Sequence, residues 1–129
     1  MSAFFEEFAS GPVTAARVDE HIALVTINRQ DARNAINGEV TGALDAIVRA
    51  TEADPDIWVV VLTGEGNKVF SAGADLKEVA GGKVADLYTD AGGFAGLAQA
   101  DRKKVWIAAV NGFALAGGFE LVLSYDIIV

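Results

Sequence analysis

The chain has 129 residues, a length that suits one domain, and 52% of its residues are apolar and 22% charged, as in soluble globular proteins. Eighteen acidic against ten basic residues give a net charge of -8, which argues against nucleic acid as the main partner. The absence of cysteine excludes disulfides and thiolate metal sites, and a histidine-dependent catalytic triad would have to use the single histidine, His21.

No window approaches the roughly 18 uninterrupted apolar residues of a membrane helix. The N-terminal stretch MSAFFEEFAS contains acids and no Lys or Arg, unlike a secretory signal or a basic transit peptide. We therefore expect a cytoplasmic protein without a membrane partner.

The first quarter of the chain predicts a loose arm followed by a β-hairpin. Residues 1–12 hold three phenylalanines that could fasten the arm to the domain. Val13–Val18 and Ile22–Ile27 are rich in β-branched residues, and the acidic pair between them suits a tight turn. His21 lies at this turn with no chemical motif near it in sequence, so we interpret it as a solvated turn residue.

A strand, a helix and a second strand are predicted next. Arg29–Ile36 is a polar connection, and Asn37 suits a helix N-cap. Apolar residues at helical spacing predict a helix over Gly38–Ala53, which the following Asp-Pro pair would end. Ile57–Leu62 is predicted to be a buried strand, so this unit implies a right-handed parallel crossover.

The middle of the chain is less regular. A long loop follows the second buried strand and leads to a short predicted helix, Asp75–Ala80. Val84–Ala100 has a weak helical pattern and many Gly and Ala residues, so we expect a mobile segment. Trp58 and Trp106 flank strands and are interpreted as core residues.

The stretch from Val105 onwards carries the strongest chemical signal. Val105–Val110 is an apolar run typical of a strand covered on both faces. Ala116-Gly117-Gly118 then allows a helix to begin with its backbone close to a ligand and its first amides unpaired. Glu120, one turn later, is expected to be a half-buried acid among apolar neighbours. Such amides and a carboxylate could hold an oxyanion and move a proton. Taken by itself, however, Glu120 is better explained as an acid near a helix N-terminus that interacts with the helix dipole.

The chain stops at Val129, inside a predicted strand that begins at Asp126. A strand that ends without a polar residue or a turn is unusual. We therefore expect residues 1–129 to form one incomplete domain, truncated after the strand, turn and helix described above.

Two small-residue loops, Phe70–Asp75 and Leu115–Gly118, leave the carboxyl ends of predicted parallel strands, which is where ligands bind in such sheets. Each loop can present a backbone N–H. If the two strands are neighbours, both donors can converge on one oxygen, as a thioester carbonyl that becomes an enolate requires.

Two other enzyme classes lack their motifs. The G-x-G-x-x-G fingerprint of nucleotide-binding oxidoreductases is absent, and Ser71 lies in V-F-S-A-G rather than in a G-x-S-x-G nucleophile elbow. A non-catalytic binder of CoA thioesters, which keeps the amides and dispenses with the acid, remains an alternative.

Three stretches resemble the N-terminal half of the enoyl-CoA hydratase/isomerase (crotonase) superfamily: LVTINRQDARNAIN, VVVLTGEGNKVFSAGADLKEV and WIAAVNGFALAGGFELVLSYDIIV. The resemblance implies an α/β fold of crotonase type, a ββα spiral with a parallel sheet and crossover helices. Gln30 and Val105 stand where family members often have proline, and Ala116 replaces the first glycine of a triple.

The resemblance also assigns roles to residues. It implies that Ala74 and Gly117 donate the two amides and that Glu120 is a catalytic acid/base. The positions that would hold the CoA moiety are Arg33, Ala35, Ala72, Gly73, Asp75, Leu76, Lys77, Leu115 and Gly118. No metal and no separate cofactor are implied, because coenzyme A is part of the substrate, and the family's full-length members form trimers or hexamers.

The implied parent reaction is hydration of an enoyl-CoA in fatty-acid or related metabolism. Family hydratases use a second glutamate that would lie beyond Val129, so we expect this chain alone to have little or no hydratase activity. Isomerase and dehydratase reactions remain open, as does the length of the acyl chain.

Overall fold

The computed structural model describes residues 3–129, with side chains from residue 6 onwards. Its strands are β1 (Val13–Asp19), β2 (Ile22–Ile27), β3 (Val59–Gly64), β4 (Val69–Ser71), β5 (Tyr88–Thr89), β6 (Gly93–Phe94), β7 (Val105–Ala108), β8 (Phe113–Ala114) and β9 (Ile127–Ile128). Its helices are α1 (Gly38–Ala53), α2 (Leu76–Ala80) and α3 (Gly117–Leu123), with 3₁₀ turns at Ala3–Phe8, Gln30–Ala32 and Val84–Leu87.

A five-stranded sheet of order β1-β2-β3-β7-β9 forms the body of the domain. The predicted hairpin is confirmed, because β1 and β2 pair antiparallel from Val13↔Ile27 onwards. The predicted parallel crossover is also confirmed, since β2 and β3 pair in parallel and β7 continues the parallel series. The carboxyl ends of β3 and β7 therefore lie at one edge of the sheet.

Helix α1 forms over the predicted residues because both its ends and its apolar face are specified. The Asn37 side chain accepts a hydrogen bond of 2.9 Å from the Val40 amide, as an N-cap does. Val40, Leu44 and Ile47 recur at helical spacing and are fully buried against the sheet. The helix ends at Asp54, whose extended backbone leads into Pro55.

The loop expected after β3 contains a strand that sequence patterning missed. β4 pairs in parallel with β8 in a separate two-stranded sheet. The pairing continues past the strands, because the Leu115 amide donates to the Ser71 carbonyl oxygen over 3.1 Å. This small sheet places the segment that follows β4 next to the start of α3.

The weakly helical prediction for Val84–Ala100 is wrong. The segment forms a 3₁₀ turn, the short hairpin β5–β6 and a chain of turns. Its apolar residues Leu87, Phe94 and Leu97 belong to the hydrophobic core. The glycines that weaken a helix here serve a tightly folded connection instead.

The two tryptophans differ. Trp106 is fully buried, as expected, whereas Trp58 is 58% exposed, so the core assignment of Trp58 is wrong. Its indole stacks on the His21 ring with a centroid separation of 3.5 Å. The Nδ1 atom of His21 lies 2.8 Å from the Asp56 carbonyl oxygen, so this half-buried histidine is held at the turn by two contacts.

The N-terminal residues are attached to the domain at Phe8, which packs against the core. The Phe4 and Phe5 side chains, expected to help fasten this arm, lie outside the described residues. At the other end, exposed apolar side chains cluster from β8 to β9: Phe113, Leu115, Phe119, Leu123, Ile127, Ile128 and Val129. Among residues 3–129, none of the helices combines the length and hydrophobicity needed to cross a membrane.

Two helical glycines should respond oppositely to alanine. A β-carbon on Gly118 would collide with the Ser71 carbonyl group, whereas one on Gly42 would meet nothing within 4 Å. We expect Gly118→Ala to destabilise the domain by about 1–3 kcal/mol through overpacking. Gly42→Ala should stabilise it by about 0.5–1 kcal/mol, the usual gain at an exposed helical glycine. Urea unfolding of both variants measures the difference, and equal effects would contradict the packing of α3 on β4.

Candidate active site

The two loops predicted to share a site do lie side by side. They contact directly, because a β-carbon placed on Gly73 would sit 2.7 Å from the Gly117 nitrogen and 2.9 Å from the Leu115 carbonyl oxygen. Gly73 also has a φ of 91°, a left-handed conformation that glycine adopts without strain. Glycine at this position therefore allows both the turn and the close approach.

The orientation of Ala74 follows from its neighbours. The Ile36 amide donates to the Gly73 carbonyl oxygen over 2.7 Å, and the Asp75 amide donates to the Ile36 carbonyl oxygen over 2.8 Å. In such a parallel bridge, the residue between the two bonded groups directs its own N–H to the opposite side. The Ala74 amide is accordingly not used in this bridge.

The Gly117 amide is the second donor. Gly117 is the first residue of α3, so its N–H has no acceptor within the helix. A β-carbon placed on Gly117 would lie 3.4 Å from the Ala74 nitrogen. Within residues 3–129, neither amide donates a hydrogen bond to the protein, so two unpaired backbone donors lie next to each other.

Ala116 makes the turn that positions Gly117. Its φ of 47° and ψ of -117° are unusual for a residue with a β-carbon. The Gly118 amide donates to the Leu115 carbonyl oxygen over 2.8 Å and closes the turn around it. Backbone strain of this kind is found mainly where surrounding contacts hold it in place.

Glu120 has the expected position on α3 but not the expected burial. It lies on α3 three residues after Gly117 and so on the same face of the helix, as predicted. Its side chain is exposed rather than half-buried, and the flanking Phe119 is 53% exposed. Among the described residues, no group pairs with the Glu120 carboxylate.

The residues expected to hold CoA belong to the two loops that carry the amides, to the start of α2 and α3, and to the connection between β2 and α1. Arg33 is exposed with a left-handed backbone, and its carbonyl oxygen accepts from the Ala72 amide over 3.0 Å. Ala35 is buried, and its carbonyl oxygen accepts from the Arg29 guanidinium over 2.7 Å. The remaining positions divide into exposed and enclosed groups. Leu76, Lys77 and Leu115 are exposed, whereas Ala72 and Asp75 are partly buried and Gly73 and Gly118 are buried.

Three polar side chains that sequence reasoning did not select hold this region together. Asn34, 1% exposed, accepts from the Arg29 amide and donates to the Val69 carbonyl oxygen. The buried Ser71 hydroxyl donates to the Asn34 carbonyl oxygen over 2.8 Å and accepts from the Gly73 amide over 3.1 Å. Asn111 accepts from the Gly64 amide and donates to the Gly66 carbonyl oxygen. The only sequence signal for these roles was asparagine at a turn. It could not identify the hydrogen-bond partners, because most of them are distant in the sequence.

Two cavities flank the region without containing the amide pair. One of about 370 Å³ is lined by Arg33 and Lys68 together with Gln30, Asn34, Glu65, Gly66, Asn67 and Val69. Another of about 460 Å³ lies between α1 and residues 91–103. The first extends the predicted CoA-binding surface at Arg33, and the second has no predicted site residue in its wall.

The Asp75 carboxylate anchors the loop that carries Ala74. It caps α2 by accepting from the Lys77 amide over 2.9 Å, and it pairs with the Arg29 guanidinium at 3.2 Å. Burial opposes its ionisation, but the Lys77 amide, the Arg29 guanidinium and the Glu78 amide outweigh that effect. The pKa of Asp75 is therefore lowered from its ordinary value of 3.8.

Comparison with known proteins shows which family this sequence matches. Residues 17–129 match the family model described as enoyl-CoA hydratase/isomerase. A carnitinyl-CoA dehydratase of Salmonella enteritidis PT4 is 45% identical over 106 residues, which are 81% of this chain and 40% of that protein. The chain thus spans about two fifths of the length of the curated relatives it matches.

Solved structures of enoyl-CoA hydratases and a carnitinyl-CoA hydratase are also similar to this chain. The carnitinyl-CoA hydratase of Mycobacterium avium superposes with a TM-score of 0.84 at 44% identity, covering 91% of this chain and 45% of that one. The enoyl-CoA hydratase of Bacillus anthracis superposes with a TM-score of 0.79 at 31% identity, covering 92% and 46% respectively. The chain is therefore similar to these proteins in sequence as well as in fold.

The lowered pKa of Asp75 predicts a pH-dependent contribution to stability. Because its folded value lies below its unfolded value, the stabilisation is fully present above about pH 4 and is lost as the pH falls through the folded pKa. Asp75→Asn, which keeps a capping side chain, should lower the free energy of unfolding at pH 7 by about 1 kcal/mol.

Denaturant unfolding between pH 7 and pH 3 measures this effect. The difference between wild type and Asp75→Asn should shrink as the pH approaches 3. Asp86→Asn, which removes an exposed carboxylate, should change the free energy of unfolding at pH 7 by less than about 0.5 kcal/mol. If the difference in free energy of unfolding between wild type and Asp75→Asn stayed constant with pH, the assigned ion pair and cap would be contradicted.

Proposed function

The chain belongs to the enoyl-CoA hydratase/isomerase family, and we propose that it binds an acyl-CoA thioester and stabilises the enolate through the amides of Ala74 and Gly117. The observation that carries the proposal is the adjacency of these two unpaired donors on separate loops. Donors fixed before the reaction stabilise developing negative charge at little cost in reorganisation. A thioester carbonyl oxygen seated between them would gain charge as the α-proton leaves.

The reaction proposed for the parent enzyme is hydration of an enoyl-CoA or its reverse. Relatives named carnitinyl-CoA dehydratase and enoyl-CoA hydratase support this choice. The two directions share one transition state, so the same amides serve both. Addition of water also requires a base for the water and an acid for the α-carbon, and Glu120 would be one of them.

Glu120 is proposed to carry a proton to or from the α-carbon. Its position one helical turn after Gly117, on the same face of α3, supports this role. A single carboxylate can move a proton between carbons but positions a water poorly. Isomerisation of an enoyl-CoA is therefore the second candidate reaction, and it needs no partner for Glu120.

The CoA moiety is proposed to lie along Arg33, Ala35 and residues 72–77. Arg33 lines the neighbouring cavity and is joined to this loop, because the Ala72 amide donates a hydrogen bond to the Arg33 carbonyl oxygen. Lys77 is exposed and can approach a phosphate. Assembly into trimers or hexamers and a cytoplasmic location stay predictions from the family resemblance.

The two-amide proposal predicts a preference for the thioester carbonyl. Acetoacetyl-CoA should bind at least roughly tenfold more tightly than its thioether analogue without that carbonyl, since hydrogen bonds to charged groups are worth about 1.5–3 kcal/mol each. Near-ultraviolet absorbance of the enolate and calorimetric titration measure the two affinities.

The protein arm of this experiment is replacement of Gly117 by glycolic acid through semisynthesis, because the resulting backbone ester removes one donor without adding a β-carbon beside the Phe94 ring. The preference for the thioester should decrease, while affinity for the thioether is retained as an internal control. Equal affinities for both ligands in the wild-type protein would refute the two-amide site.

A separate prediction concerns Glu120. Exchange of the acyl-CoA α-proton with deuterated solvent, followed by nuclear magnetic resonance, should slow by about 10²–10⁴-fold in Glu120→Gln, the usual contribution of a general base. Glu39→Gln, an exposed acid in the first turn of α1, should leave the rate unchanged. Thioester binding without any exchange in the wild type would instead favour a non-catalytic CoA-thioester binder.

A further inference from the structure

The aromatic ring of Phe94 stands directly beside the amide pair. A β-carbon placed on Gly117 would lie 2.8 Å from the Phe94 ring atoms Cε2 and Cζ and 3.4 Å from the Ala74 nitrogen. The tip of the ring is thus packed on the Cα of Gly117, within a few ångströms of both donors. Phe94 itself is only 8% exposed.

The backbone around Phe94 is held tightly. The Ala95 amide donates to the Leu87 carbonyl oxygen over 2.7 Å, and the Gln99 amide donates to the Gly92 carbonyl oxygen over 2.8 Å. Gly93 and Ala95, on either side of Phe94, both have positive φ, at 69° and 59°. A left-handed alanine that is fully buried is a strained residue kept in place by its surroundings.

Helix α1 supports this turn from behind. A β-carbon on Gly96 would lie 2.8 Å from the Thr41 carbonyl oxygen and 2.9 Å from the Asp45 β-carbon. The backbone at Gly96 therefore rests on α1, and the hairpin β5–β6 cannot retreat in that direction. Tyr88 packs edge-on against the outer side of the Phe94 ring, with centroids 5.7 Å apart.

We propose that Phe94 is a specificity-determining residue that limits the substituents on the substrate carbon next to the thioester carbonyl. This inference rests on the proposed function, because it takes the carbonyl oxygen to lie between Ala74 and Gly117. The carbon attached to that carbonyl then lies near the tip of the ring. A rigid wall at this distance accepts a CH₂ group and rejects a branched carbon, so the favoured substrates are acyl thioesters without an α-methyl group.

The size of the effect follows from pocket energetics. One additional methyl group that a hydrophobic wall excludes changes selectivity by roughly 10–200-fold. Replacement of Phe94 by a smaller residue should abolish most of that discrimination. It should leave the hydrogen bonds to the carbonyl oxygen, and hence binding of the unbranched ligand, comparatively unaffected.

The experiment compares acetoacetyl-CoA with 2-methylacetoacetyl-CoA by calorimetric titration. The wild-type chain should prefer the unbranched ligand by roughly tenfold or more. In Phe94→Ala the two affinities should become similar. Phe94→Leu, which preserves more of the core packing, should reduce the ratio in the same direction and serves if the alanine variant does not fold.

Tyr88→Leu is the control, because it removes an exposed aromatic ring from the same hairpin without opening the wall at Gly117. Its ratio of affinities should equal that of the wild type. A ratio that persists in both Phe94 variants, or that Tyr88→Leu reduces equally, would overturn the role of the Phe94 ring while leaving the proposed function in place. A wild type that binds both ligands equally overturns it as well. Failure of the wild type to bind either ligand overturns the proposed function and this inference together.

Discussion

The site depends on one pair of hydrogen bonds, between Ile36 and the residues on either side of Ala74. By engaging the Gly73 carbonyl and the Asp75 amide, Ile36 uses one edge of this extended segment and leaves the Ala74 amide, whose nitrogen lies near Gly117, outside the pairing. Arg29 reinforces the arrangement, since its guanidinium contacts both the Ala35 carbonyl oxygen and the Asp75 carboxylate. The geometry of the candidate site is thus a consequence of ordinary β-pairing at a point where no regular strand continues.

The large sheet determines where that pairing can occur. Because β3 and β7 are parallel neighbours, the loops that leave their carboxyl ends meet at one edge, and β4–β8 joins those loops. The loops can approach this closely only where a residue has no β-carbon. Gly73 and Gly118 satisfy this requirement, because a side chain at either position would collide with the neighbouring backbone. The two loops of the candidate site are therefore in close backbone contact.

Much of this was predictable from the sequence. The hairpin, α1 with its Asn37 cap, and the parallel crossover from β2 to β3 follow from periodicity and turn chemistry, and the crotonase-type fold is confirmed by structures such as that of the Mycobacterium avium protein. Strands of two or three residues, such as β8, carry too little pattern to be recognised. The exposure of Trp58 and of Glu120 depends on tertiary packing that no local pattern encodes. Val84–Ala100 misled because its glycines and alanines allow many conformations, and only contacts with α1 and the core select one.

The contrast between the amides and Glu120 has a chemical meaning. The two donors are fixed by a network of backbone and buried side-chain bonds, whereas the Glu120 side chain is exposed and makes no bond to the described residues. In the proposed function, the groups that would stabilise negative charge on a thioester oxygen are therefore held in place, whereas the group that would deliver a proton is not. Enolate stabilisation is the step that hydration, dehydration and isomerisation of acyl-CoA thioesters have in common. A scaffold that is rigid at the oxyanion and permissive at the acid can support any of them, and the choice then depends on which groups meet the substrate around Glu120.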